Sequence, residues 1–309
     1  MKLIRGLHNL RPEHRGCVAT IGNFDGVHLG HQAVLGQLAE KGAQLGLPTV
    51  VITFEPQPRE MFSPDTAPPR LTPFREKLQV LRRFSVDRVL CIAFNKTFAA
   101  LSAEAFVESM LIAQLGVRYL VVGDDFRFGR ARAGDYAMLE AAGAAAGFQV
   151  ARMQSFYVDG ERVSSTRIRE ALAAGDLTRA QKYLGRPFRM SGHVAPGDAR
   201  GRTLGFPTAN LFVHRNRAPV AGVFAVQVFG LDREPWPGVA NVGTRPSVGG
   251  AHRLLEVHLL DFSGDIYGRH LQVDFCHKLR DEQRFPSLEA LKAQIARDVE
   301  AARAWFARQ

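Results

Sequence analysis

Four short apolar runs in the first half of the chain, at residues 17–21, 49–54, 88–92 and 119–122, are separated by segments of helix length. A run without polar alternation reads as a strand buried on both faces, which a sheet achieves when helices cover it above and below. The segments at 32–44, 74–84 and 103–114 carry the patterns of those helices. The order β, α, β, α predicts a parallel α/β sheet, with ligands expected at the C-terminal ends of its strands.

Near Ser164 the texture changes. A Ser/Thr-rich turn opens a helix over 167–174, Gly175-Asp176 interrupts it, a second short helix runs to about Leu184, and Gly185-Arg186-Pro187 ends the pair. Beyond lie β-type runs at 222–229, 254–261 and 271–275 between Gly/Pro turns, which predict a small antiparallel barrel or sandwich. The tail at 287–308 carries Leu288, Leu291, Ile295 and Val299 at helical spacing, with Ser287 as N-cap and Glu289 in the first turn. One terminal helix is therefore expected on the barrel. A chain of 309 residues can bury two cores, and the division is expected at 185/186, giving domains 1–185 and 186–309.

The formal net charge of +10 favours anionic partners. Arg127, Arg130 and Arg132 are interrupted and form no polybasic run of the kind that tracks a nucleic-acid backbone, so small anionic substrates are the expected partners. Cys17, Cys91 and Cys276 are odd in number and far apart, unlike a zinc site or a disulfide framework. Reduced thiols, no leader and no run of about 18 apolar residues together predict a cytoplasmic protein without a membrane span.

Two segments of the first half carry phosphate chemistry. Gly22-Asn23-Phe24-Asp-Gly-Val-His28-Leu-Gly30-His31 follows the first strand and opens the first helix, where backbone N–H groups and the helix dipole favour a phosphate. His28 and His31, three apart, can point to one side and donate hydrogen bonds as charge builds on phosphate oxygens, while Gly30 allows close approach to the backbone. A metal-binding pair, or ordinary polar residues at a helix start, are the competing readings. Ser165, Thr166 and Arg169 stand at another helix start, where hydroxyls and a cation can meet a triphosphate or a leaving pyrophosphate. Simple capping by Ser165 or Thr166 is the alternative.

In the second half, Gly201-Arg-Thr-Leu-Gly-Phe-Pro-Thr208-Ala-Asn210 lacks the Gly-Lys-Ser/Thr end of a Walker loop. It offers hard oxygen ligands instead: the Thr208 hydroxyl and the Asn210 carbonyl suit Mg²⁺, with a capped Gly/Pro turn as the alternative. Leu255-Glu256-Val257-His258-Leu259 alternates as a strand does, which sends Glu256 and His258 to one face. Glu256 is the candidate general base for a hydroxyl nucleophile, against a solvated strand face.

The two helix-start segments together resemble the nucleotidylyltransferase superfamily. The fuller string at 22–31, with Thr53-Phe54-Glu-Pro56 and Gly123-Asp-Asp-Phe-Arg-Phe128-Gly129, resembles the FMN adenylyltransferase module of bacterial FAD synthetases. The likeness implies a Rossmann-like sheet and direct attack of the FMN phosphate on the α-phosphorus of ATP. It implies that His28 and His31 steady the phosphates, that Ser165, Thr166 and Arg169 hold the β- and γ-phosphates, and that Phe54, Phe62 and Phe128 face the flavin, with core packing as the alternative role for each phenylalanine. Pro207-Thr-Ala-Asn210, Gly238-Val-Ala-Asn-Val-Gly-Thr-Arg-Pro246, Glu256-Val-His258, Asp261-Phe-Ser-Gly-Asp-Ile-Tyr-Gly268 and Leu279-Arg-Asp-Glu-Gln-Arg-Phe285 resemble riboflavin kinase, in order. There the likeness implies Mg·ATP on Thr208 and Asn210 and activation of the ribityl 5′-hydroxyl by Glu256. The fused order resembles the bifunctional bacterial FAD synthetase family. Riboflavin, FMN, FAD, ATP and Mg²⁺ are the implied ligands, with no nucleic acid, no membrane, and a monomer or higher homo-oligomer. Gln57 and Pro196 stand where the family often has His, and Asp125 where some members have Asn.

Overall fold

Strands β1 (Lys2–Arg5), β2 (Cys17–Ile21), β3 (Thr49–Glu55), β4 (Arg88–Ala93), β5 (Val117–Gly123) and β6 (Gln149–Met153) form one parallel sheet in the order β1-β4-β3-β2-β5-β6. The computed structural model describes residues 1–196, 205–213, 217–243 and 253–309. They divide into two units, Met1–Pro68 with Phe74–Val163, and Pro69–Pro73 with Ser164–Gln309.

Both faces of the sheet are covered, which is why the central strands carry continuous apolar runs. Ala19, Ile21, Ile52, Leu90, Leu120 and Val122 pack with Phe106, Met110, Leu111 and Leu139 on one side, while Val18, Val51, Val89 and Val121 pack with Val34, Leu35, Leu38 and Leu81 on the other. The helices that supply these residues are Leu29–Leu45, Phe74–Leu81, the Phe106–Gln114 π-helix and Tyr136–Ala146. β1 and β6 have no counterpart among the expected strands. They are edge strands with one buried residue and none, respectively, so they never needed an apolar run.

The chain lays down β2, β3 and β4 in one direction and then crosses to β5 on the other side of β2. Loops leaving the C-terminal ends of β2 and β5 therefore run apart, and a crevice opens between them, where open α/β sheets bind ligands. A short hairpin, β7 (Tyr157–Val158) and β8 (Glu161–Arg162), completes this unit.

The second unit begins with helices Ser165–Ala174 and Leu177–Leu184. Strands β9 (Phe188–Ala195), β10 (Ala209–Phe212), β11 (Gly222–Phe229), β12 (Trp236–Val242), β13 (Arg253–Leu259) and β14 (His270–Arg280) follow. They close into an antiparallel barrel in the order β10-β13-β12-β11-β14-β9. Closure selects barrel over sandwich. Side chains of one parity, among them Met190, Leu211, Phe224, Val226, Leu255, Val257, Val273 and Phe275, are fully buried and fill its interior. β9, β10 and β12 were absent from the sequence expectation. β9 does alternate, but with Arg189, Ser191 and His193 at its outward positions it lacks the apolar density of β11.

The terminal helix, Leu288–Phe306, is capped by the Ser287 hydroxyl, which accepts the Ala290 N–H at 3.2 Å. Val299 and Ala302 pack on Val223, Ala225 and Val239 outside the barrel, whereas Leu288 is 66% exposed, so the expected apolar stripe is seated only at its C-terminal end. A charge pair does the rest. Arg280 donates from Nε to Asp298 Oδ1 at 2.9 Å and from Nη2 to Oδ2 at 2.8 Å, Gln294 Nε2 donates to Oδ1 at 2.8 Å, and Asp298 is buried. Among the described residues no helix is long and apolar enough to cross a membrane.

Removing one partner of a buried bidentate pair leaves the other charge without compensation and costs about 3–5 kcal/mol. Asp298→Ala is expected to destabilise the second unit by an amount near the lower end of that range, about 3 kcal/mol, measured by urea denaturation followed through tryptophan fluorescence.

Candidate active sites

At the end of β2 the Gly22 N–H donates to the Ile52 carbonyl at 3.0 Å, after which the chain reverses through Phe24 (φ 48), Gly26 (φ 87) and Val27 (φ 42). Left-handed conformations at phenylalanine and valine cost on the order of 1–3 kcal/mol each and persist only where neighbours over-determine them. Here the carbonyls are held from outside the turn. The Asn23 oxygen accepts from Lys77 Nζ at 2.5 Å and from the Thr53 hydroxyl at 3.4 Å, and the Val27 oxygen accepts from Gln32 Nε2 at 2.9 Å.

His28 is the N-cap of helix Leu29–Leu45, three residues ahead of the expected start, and its Nδ1 accepts the His31 N–H at 3.4 Å. That bond places the ring proton of neutral His28 on Nε2. The two imidazoles stack with centroids 3.7 Å apart and planes at 18°, and the Phe24 ring lies 5.0 Å from that of His31. A Cβ on Gly30 would meet the His28 ring at 3.3 Å, so the glycine makes room for the imidazole itself.

The three phenylalanines expected at the flavin differ in setting. Phe62 is 63% exposed, Phe54 half-buried and Phe128 buried. A run of ring contacts joins them: Phe62 to Phe94 at 5.7 Å, Phe94 to Phe54 at 5.6 Å and to Phe98 at 5.7 Å, Phe98 to Phe106 at 6.2 Å, and Phe106 to Phe128 at 5.2 Å. Phe94 and Phe98 escaped the sequence reading because an isolated phenylalanine beyond a strand gives no signal of what it touches. Gln57 is buried and caps the short helix Pro58–Phe62, with its backbone N–H donating to Glu60 at 2.9 Å.

Beyond β5, Asp124 accepts from the Ser155 hydroxyl at 2.7 Å and from Arg162 at 3.3 Å, and Asp125 accepts from the same guanidinium at 2.9 Å. The Ser155 hydrogen bond, aided by the Arg162 charge, holds the Asp124 carboxyl below the ordinary aspartate range. Cys17 is pushed up to about 12 by burial and stays protonated, which removes it from thiol chemistry.

In the second unit the capping role falls to Ser164, whose hydroxyl accepts the Arg167 N–H at 3.3 Å, and not to Ser165 or Thr166. Arg169 Nε donates to the Pro69 carbonyl at 2.7 Å.

On the barrel, strand register assembles the second constellation. Glu256 of β13 pairs with Asn210 of β10 on one side and Asn241 of β12 on the other, so the three side chains form one row on the outer face. His258, on the same face, donates through Nδ1 to the Pro207 carbonyl at 2.8 Å, tying β13 to the segment that carries the exposed Thr208. Asn241 lies inside the string at 238–246 but drew no attention there, because only the register reveals that β12 runs beside Glu256. Residues 201–204 and 244–246, which belong to the strings quoted for this half, lie outside the described residues. Among the described residues no group of three or more His, Cys, Asp or Glu side chains is placed to hold a metal. Thr208 and Asn210 present neutral oxygens beside a carboxylate, a donor set that fits Mg²⁺ accompanied by substrate phosphates.

A family model described as FAD synthetase matches residues 10–167, and one described as riboflavin kinase matches residues 184–306. The chain is 54% identical to a bifunctional riboflavin kinase/FMN adenylyltransferase of Escherichia coli (strain K12), over 99% of this chain and 98% of that protein. It is 57% identical to the protein of that name from Pseudomonas fluorescens, over 98% and 97%, respectively. A crystal structure titled as a macrolide-efflux protein from Streptococcus pneumoniae superposes with a TM-score of 0.83 at 30% identity, covering 99% of this chain and all of that one.

Because Asp124 is held in its ionised form by Ser155, Ser155→Ala is expected to move its titration back up toward the ordinary aspartate value. With the native pKa depressed, the group stabilises the fold above its unfolded pKa, and that contribution is lost as pH falls through the native value. Carboxyl ¹³C NMR titration of the two proteins checks this.

Proposed function

The chain belongs to the family of bifunctional riboflavin kinase/FMN adenylyltransferases, and from that premise we propose which of its residues carry each of the two ATP-dependent steps. Riboflavin is phosphorylated to FMN, and FMN is adenylylated to FAD. The functional division is placed at 185/186, supported by a FAD synthetase match that reaches Arg167 and a riboflavin kinase match that begins at Leu184.

The observation that carries the adenylylation assignment is the stacked His28–His31 pair at the end of β2, beside the crevice where the strand order reverses. In this step an FMN phosphate oxygen attacks the α-phosphorus of ATP, the bond from that phosphorus to the bridging oxygen breaks, and pyrophosphate leaves. The nucleophile is already an anion, so no base is required. The site's work is to hold two anions together and stabilise the charge gained by the leaving group, for which N–H donors are suited. His28 and His31 supply imidazole N–H groups; Gly22, Asn23, Phe24 and Gly30 shape the turn; and Ser165, Thr166 and Arg169 are ligands of the ATP phosphates. Phe62, exposed at the end of the aromatic run, offers a face to the isoalloxazine, with Phe54 and Phe128 setting the wall behind it.

In the kinase step the nucleophile is neutral. Glu256 takes the proton of the ribityl 5′-hydroxyl as its oxygen attacks the γ-phosphorus and the bond to the β-phosphate oxygen breaks, releasing ADP. Thr208 and Asn210 would hold Mg²⁺, which when bound neutralises phosphate charge. The reading takes riboflavin, FMN and ATP as partners, without nucleic acid or membrane, in a cytoplasmic monomer or higher homo-oligomer.

The test is incubation of the purified chain with riboflavin, ATP and Mg²⁺, with FMN and FAD separated by chromatography. His31→Ala is expected to lower FAD formation by about 10²-fold or more and let FMN accumulate. Glu256→Ala is expected to lower FMN formation by about 10²–10⁴-fold while still converting added FMN to FAD. Loss of both activities from either change in a folded protein would falsify the residue assignment.

A further inference from the structure

We propose that Lys77 is a positioning residue for adenylyl transfer, acting through one peptide bond on the turn that carries Asn23, Phe24 and His28. The inference rests on the assignment of that turn to FMN adenylylation.

Lys77 has no exposed surface and is among the largest wholly buried side chains of the described residues. A buried ammonium loses its hydration, and lysine is almost never fully buried without a partner that compensates. A leucine or methionine would fill the same space in the Phe74–Leu81 helix without that loss. Among the interactions the ammonium makes is a charge-assisted hydrogen bond, 2.5 Å long, to the carbonyl of Asn23. The Thr53 hydroxyl, itself wholly buried on β3, reaches the same oxygen at 3.4 Å. Two buried donors on one carbonyl fix the orientation of the Asn23–Phe24 peptide, immediately before the left-handed residues Phe24, Gly26 and Val27.

That peptide is trans, so the Phe24 N–H points away from the carbonyl that Lys77 grips. A cation on the oxygen draws electron density from the amide and makes its N–H a stronger donor, as in any polarised hydrogen-bond chain. Among the described residues neither the Asn23 N–H nor the Phe24 N–H has an acceptor. Lys77 thus fixes and sharpens the Phe24 N–H at the head of the helix that presents His28 and His31, without itself touching substrate. The group that takes this donor is an anionic oxygen of ATP or FMN. A role confined to packing would lower stability and leave turnover alone.

Lys77→Met keeps the length and apolar stem and removes the charge. In the full chain it is expected to lower kcat for FMN-to-FAD conversion by about tenfold, leave KM for FMN and for ATP within about threefold, and spare riboflavin phosphorylation. An unchanged kcat, a loss expressed only in KM, or an equal loss in the kinase reaction overturns the proposal. If Lys77→Met does not fold, Thr53→Val decides: a fall of about threefold in the same kcat at an unchanged melting temperature supports it, and an unchanged kcat overturns it. His31→Ala separates the two levels. If it spares FAD formation, the assignment of the site has failed; if it abolishes FAD formation while Lys77→Met has no effect, only the role of Lys77 has failed.

Discussion

β2 is hydrogen-bonded to β3 on one edge and β5 on the other, and its residues are buried on both faces. A strand enclosed in this way can release its chain only at its end, and the strand order reverses at that point. The turn beyond Ile21 is consequently delivered to the head of the crevice, with Thr53 arriving from β3 and Asp124 from β5. Its left-handed residues cost energy locally, and the surrounding framework supplies it through the Ile52, Lys77, Thr53 and Gln32 hydrogen bonds. The geometry of the turn is therefore a property of the sheet as much as of its own residues.

The two phosphate transfers call for different chemistry, and the two sites differ accordingly. An FMN phosphate is a nucleophile without further activation, and the first proposed site is built from N–H donors at a strand-to-helix turn. A ribityl hydroxyl must lose a proton, and the second proposed site centres on a carboxylate flanked by amide side chains. The barrel supplies that arrangement through register alone: alternation keeps Leu255 and Val257 inside, so Glu256 and His258 must face out, and antiparallel pairing places Asn210 and Asn241 beside the carboxylate.

The terminal helix shows how little of a docking surface is visible as periodicity. Its apolar stripe was legible over 288–299, yet only Val299 and Ala302 of that helix are buried apolar residues, and it is tied to β14 by the Arg280–Asp298 pair, whose members lie 18 positions apart. Charged residues at such spacing read as solvated surface until the barrel brings them together. Lys77 is the same case in sharper form, because a lysine on an amphipathic helix carries no mark of burial.

What the sequence determined by itself was anything encoded within one element or one turn. The doubly buried strands β2 to β5, the presence of helices after the His28–His31 and Ser165–Thr166 segments, the alternation that turns Glu256 outward and the family strings all lie in contiguous residues, where local sterics and periodicity act. Tertiary structure alone decided what depends on which elements are neighbours: edge strands β1 and β6, closure of the barrel, the row Asn210–Glu256–Asn241, the aromatic run through Phe94 and Phe98, and the grip of Lys77 on Asn23. These contacts join residues of different elements. They exist because packing and register bring distant elements together, a constraint that the local pattern of either partner does not contain.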